Sequence, residues 1–86
     1  MPRALTVHRC VIPVSGRERQ LARLKERGAH YRAAHCRYWV FEESSVSGAF
    51  LEFVEADSAE VITRAHAEAI DPPADPGRVY LEVELS

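Results

Sequence analysis

The 86-residue chain contains no asparagine, a single lysine (Lys25), a single tryptophan (Trp39) and only two cysteines. It also has no apolar run approaching the ~18–20 residues a bilayer-spanning helix requires, so no membrane partner is expected. Met1-Pro2-Arg3-Ala4 leads straight into strand-like sequence, without the apolar core and small-residue cleavage site of a signal peptide. A cytoplasmic location is the expectation. There is no excess of positive charge either. A net charge of −2 lacks the clustered cations of a nucleic-acid footprint, and no nucleic-acid partner is expected. Cys10 and Cys36 fall in different elements and read as buried free thiols. No Cys-x-x-Cys pair is present, and the spacing of His30, His35 and Cys36 matches no common zinc pattern. Nor is there a glycine-rich phosphate loop or a Ser/His/Asp nucleophile set. No metal and no cofactor are therefore expected.

What is present is a rhythm of four strand-like runs interrupted by two helix-like ones, in a single domain covering residues 1–86. Leu5 to Ile12 is rich in β-branched residues and stops at Pro13. Ser15-Gly16-Arg17-Glu18 reads as a capping box, an oxygen-bearing cap with a glutamate three residues on. It opens a helix on which Leu21, Leu24, Gly28 and Tyr31 share a narrow arc. Gly28 either closes that helix or lets it pack closely on a sheet. Cys36 to Glu43 is a second strand, Ser44 to Gly48 a hairpin loop and Ala49 to Glu55 a third strand. Asp57-Ser58-Ala59-Glu60 is the second capping box, opening a helix from Ser58 to about Ile70. A turn-rich connection, Asp71 to Gly77, leads into a last strand, Arg78 to Leu85, with strict alternation.

Strand, helix, strand, strand, helix, strand, joined by right-handed crossovers, gives a ferredoxin-like βαββαβ sandwich of the α+β class. Its four-stranded antiparallel sheet carries both helices on one face. Alternation predicts that Val79, Leu81, Val83 and Leu85 face the helices and that Tyr80 and Glu82 face away. In the third strand the same logic turns Leu51 and Phe53 inward and leaves Phe50, Glu52 and Val54 on the open face. The first two strands are ambiguous. Bulky apolar groups fall on both faces under either assignment, more than a soluble monomer usually leaves exposed. A second copy packed on the open face, as a two-fold homodimer, is the expected partner.

The stretch from His30 to Glu43 (HYRAAHCRYWVFEE) and the strand from Gly48 to Glu55 (GAFLEFVE), in this order of elements, resemble the first-helix exit and central hairpin of the dimeric α/β-barrel superfamily. That superfamily includes the antibiotic-biosynthesis monooxygenases. The resemblance implies a sheet closed into a barrel with a partner, and a cavity for a small apolar or aromatic molecule. It implies cofactor-free oxygenation or isomerisation as the activity. The haem-degrading branch uses an asparagine on strand one, a tryptophan on strand three and a histidine near helix two. This chain has no asparagine, carries Trp39 on strand two, and has only His66 in a corresponding place.

The residues themselves nominate His8 as a general base and Glu52 as its orienting acid, because a His–Glu pair fixes the imidazole tautomer and raises its basicity. Trp39, Phe50 and Tyr80 are the candidate substrate-binding residues. An RNA-binding use of the fold is not expected. The segment Ser47-Gly48-Ala49-Phe50 lacks the cation and stacking aromatic of such modules, and Glu52 would repel phosphate. The alternative to a catalyst is a non-catalytic binding or assembly module. Convergence of His8, Glu52 and Tyr80 on one cavity separates the two.

Overall fold

A computed structural model describes residues 2–73 and 78–85. The elements are β1 (Ala4–Val11), α1 (Arg17–Ala33), β2 (Arg37–Glu42), β3 (Ala49–Ala56), α2 (Ala59–Glu68) and β4 (Tyr80–Leu81). Residues 74–77 of the expected turn-rich connection lie outside the described residues. The sheet is fully antiparallel, in the order β2-β3-β1-β4. It is open: β2 and β4 are its two edges, and it does not close into a barrel. The expectation of a dimeric α/β barrel, and with it the resemblance to the monooxygenase superfamily, is thereby corrected to an open ferredoxin-like sandwich. No helix among the described residues is long and apolar enough to cross a membrane.

Helix boundaries follow local chemistry that differs from the expected caps. Ser15 does not cap α1. It sits in a tight 3₁₀ turn, Val14–Gly16, where the Gly16 amide donates to the Pro13 carbonyl at 2.9 Å, and the helix starts one residue later. At α2 the cap is Ser58 rather than Asp57, its hydroxyl accepting from the Val61 amide at 3.3 Å. Asp57 instead meets Arg37 at 3.0 Å. Helix α1 runs past Gly28 to Ala33. It stops where His35 adopts a left-handed φ of 67°. There the Cys36 amide donates to the Tyr31 carbonyl and the His35 amide to the Arg32 carbonyl, the paired bonds of a Schellman end.

Gly28 serves close packing: a Cβ there would stand 2.9 Å from the Tyr38 ring. The α1 stripe is also rotated from its expected place. Leu24, Arg27, Gly28 and Tyr31 are buried, whereas Leu21 is 44% exposed.

Strand β3 faces the opposite way from the sequence expectation. Phe50, Glu52, Val54 and Ala56 point to the helices and are buried, while Leu51 and Phe53 lie half-buried on the open side. Both alternating sets of this strand are apolar apart from their glutamates, so pattern alone does not choose between them. Burying Glu52 is tolerated because α1 supplies a cation for it. The core is Ala4, Tyr31, Cys36, Tyr38, Val54, Ala56, Ile62 and Ala65, with both cysteine thiols free.

Strand β4 is shorter than its alternation predicts. Val79 packs against the core, but Leu81, Val83 and Leu85 are 53%, 71% and 93% exposed. The ladder stops because β1 begins at Ala4. Beyond the bond from the Glu82 amide to the Arg3 carbonyl, no strand runs alongside among the described residues.

Candidate functional site

Two polar chains run through the layer between sheet and helices, and they touch at a pair of tyrosines. In the first, the Arg27 guanidinium reaches down from α1 and donates through Nη1 to Glu52 Oε1 at 2.6 Å. The Tyr38 hydroxyl donates to Glu52 Oε2, also at 2.6 Å. The Arg27 and Glu52 side chains are 5% and 3% exposed, so both charges are fully withdrawn from water. Arg27 Nε also donates to the Asp71 carbonyl at 2.7 Å, anchoring the segment after α2. The Asp71 carboxyl is held down to about 2, chiefly by its hydrogen bond from Arg23 and against the opposing effect of desolvation.

In the second chain His66 of α2 lies between two hydroxyls. Its Nδ1 meets Tyr31 Oη at 2.8 Å and its Nε2 meets Thr6 Oγ1 at 2.9 Å. Burial lowers the His66 pKa, the Glu52 carboxylate opposing and His30 adding to it. The neutral imidazole suits the site, since one ring nitrogen then donates and the other accepts. Tyr31 and Tyr38 stack with centroids 5.8 Å apart. Both phenols are pushed well above the ordinary tyrosine value, first by desolvation; the Glu52 carboxylate reinforces the shift, through a direct hydrogen bond in the case of Tyr38. No buried side-chain polar atom among the described residues lacks a partner. Such a network holds two helices to a sheet in a fixed register.

The nominated residues divide between the two faces. His8 and Glu52 are register partners across β1 and β3 on the helix side. His8 is half-buried and makes no hydrogen bond or ion pair among the described residues, while both Glu52 oxygens are taken by Arg27 and Tyr38. Phe50 is buried on the same side, with the Arg17 guanidinium 5.5 Å above its ring. Trp39 and Tyr80 lie on the open face, so Tyr80 does not converge with His8 and Glu52. No three His, Cys, Asp or Glu side chains among the described residues are grouped to hold a metal ion.

Arg27, the residue that organises the buried network, was not anticipated. Its signal was positional: it lies three residues after Leu24 and four before Tyr31, inside the apolar stripe of α1.

The open face is the other prominent surface. Val7 and Val11 of β1, Trp39 and Phe41 of β2 and Tyr80 of β4 are 36%, 57%, 44%, 59% and 49% exposed. Phe41 and Phe53 meet edge to face at 5.6 Å. Ion pairs border this apolar strip at Arg3, Glu82, Arg37 and Glu55, and Arg9 stands within it, between Val7 and Val11 on the same face of β1. Arg9 meets Glu43 at 3.3 Å, Arg3 meets Glu82 at 2.7 Å, and Arg37 is hydrogen-bonded to Glu55. No protein-family model, curated protein or solved structure matches this chain.

Proposed function

We propose that this chain is a non-catalytic assembly module in which two copies pair through the open sheet face. The observation that carries this reading is the exposed strip of Val7, Val11, Trp39, Phe41 and Tyr80, five large apolar side chains gathered on one sheet face. The eight-residue strands β1 and β3 run roughly 27 Å, and the three spacings between four strands add roughly 14 Å across. Before side-chain relief, that flat footprint is about half of the ~800 Å² each partner contributes to a standard interface. The Arg3–Glu82 and Arg37–Glu55 pairs give the rim both signs of charge, as a self-complementary two-fold contact needs. An apolar centre with a mixed-charge rim is the usual anatomy of such a contact.

A catalytic role for His8 and Glu52 has less support. A base needs a free orienting partner, and the Glu52 carboxylate is committed to Arg27 and Tyr38.

Light scattering on the purified protein at micromolar concentration is expected to give twice the 9.7 kDa chain mass. Phe41→Glu, which places a charge at the β2 edge of the strip, is expected to give the monomer mass with an unchanged circular dichroism spectrum. A monomeric parent protein overturns the proposal, and so does a dimer indifferent to Phe41→Glu.

A further inference from the structure

On the helix side of the sheet, away from the face assigned to self-association, a groove of about 470 Å³ runs between α1 and β2. That size lies within the ~300–1,000 Å³ of small-molecule sites. Its floor is apolar: Leu24, Tyr38 and Phe50 are buried there, and Val40 is half-buried. Leu21 forms part of the wall and remains 44% exposed, an aliphatic side chain offered to whatever enters. Gly28 contributes no side chain, which is what lets the Tyr38 ring lie so close beneath the helix.

The rim is cationic in a chain whose net charge is −2. Arg17, Lys25 and Arg32 face a single carboxylate, Glu42. Arg17 neutralises that carboxylate with two hydrogen bonds of 2.7 and 2.8 Å, and Glu42 also accepts from the Gly48 amide. Together these hold the Glu42 carboxyl down to about 2, the Arg17 hydrogen bond being the largest cause. Lys25 and Arg32 make no ion pair among the described residues. Arg32 lies 5.9 Å over the Tyr38 ring and donates a long 3.5 Å contact to the Tyr38 carbonyl, so its guanidinium keeps free donors at the groove edge.

We propose that this groove binds an amphipathic monocarboxylate with an aromatic body. Lys25 and Arg32 stand two helical turns apart, ~10 Å along the axis. One head group therefore meets one cation, while the ring lies along the exposed Leu21 and the half-buried Val40. A guanidinium takes a carboxylate through two parallel hydrogen bonds, which makes Arg32 the principal anchor and Lys25 a point charge that steers the approach. The apolar floor selects against small hydrophilic anions, and the two free cations select against neutral or cationic aromatics.

Phenylacetate, with phenylacetamide as its uncharged counterpart, is the probe, followed by amide chemical shifts of the isotopically labelled protein. The expected result is saturable shifts clustered at Gly28, Arg32 and Tyr38, with phenylacetamide weaker by about tenfold, the scale of one charge-assisted contact. Lys25→Gln/Arg32→Gln, two exposed-rim changes that retain the aliphatic stems, is expected to weaken phenylacetate by a similar factor. Leu21→Glu, which adds a repelling charge at an exposed position, is expected to do the same. Phe41→Glu on the opposite face is expected to bind normally, so failure of self-association and failure of the groove give different readouts. The proposal is overturned by equal binding of acid and amide, by shifts confined to the sheet face, by indifference to the rim changes, or by no saturable shift at all.

Discussion

The Arg27–Glu52–Tyr38 group is the most consequential side-chain arrangement in this small domain. A buried ion pair does not by itself add stability, because desolvating two charges costs about as much as their attraction returns. Removing one partner is a different matter. Arg27→Met leaves the Glu52 carboxylate buried with only Tyr38 to hold it, and is expected to cost about 3–5 kcal/mol in urea unfolding. The triple variant Arg27→Met/Glu52→Leu/Tyr38→Phe removes the carboxylate together with both partners and is expected to recover most of that loss. A near-neutral Arg27→Met would show that Glu52 is not sealed from water. The sequence singled out Glu52 as a charge between Phe50 and Val54, but on the face expected to be open. Its partner was not legible. Glu52 and Arg27 are 25 residues apart, and only the packing of α1 on the sheet brings them together. With Arg9 and Arg37 also available by sequence, composition offered no reason to prefer Arg27.

Secondary-structure elements were easier to read than their ends. All four strands and both helices were expected in this order, because hydrophobic period and turn residues act locally. Caps depend on a single residue's backbone geometry, and both expected capping boxes were displaced. The displacement is testable by two matched substitutions. Ser58→Ala is expected to lose the hydroxyl bond to the Val61 amide and about 1 kcal/mol of stability, a fall of roughly 4–8 °C in melting temperature for a domain this size. Ser15→Ala, at a serine that makes no cap, is expected to change stability by less than about 0.5 kcal/mol, as at an ordinary surface site. Equal effects at the two serines would restore the expected first box. The inverted face of β3 has the same origin. Two apolar alternating sets compete, and both glutamates find a cation, Glu52 the buried Arg27 and Glu55 the exposed Arg37, so the choice rests on non-local packing that the strand's own pattern does not carry.

At the scale of the whole molecule, the sheet has two edges and one uncovered apolar face. The open topology removed the barrel that the family resemblance implied, since local likeness in a hairpin does not determine how a sheet's edges close. What survives is the argument from surface: a chain of 86 residues has little core to spare, yet it leaves Trp39 and Phe41 in solvent. If two copies cover that face, folding and association are linked, and apparent stability depends on protein concentration by mass action. Above the dissociation constant, a tenfold rise in concentration is expected to raise the melting temperature by about 4 °C, from ~1.4 kcal/mol of added stabilisation spread over the unfolding entropy of two chains. Phe41→Glu is expected to abolish that dependence and to lower the parent melting temperature to a concentration-independent value. Differential scanning calorimetry over two decades of concentration makes the measurement. A flat melting temperature for the parent protein would mean that the apolar face is borne by the monomer, and that its core and the Arg27–Glu52 network hold the domain without a partner.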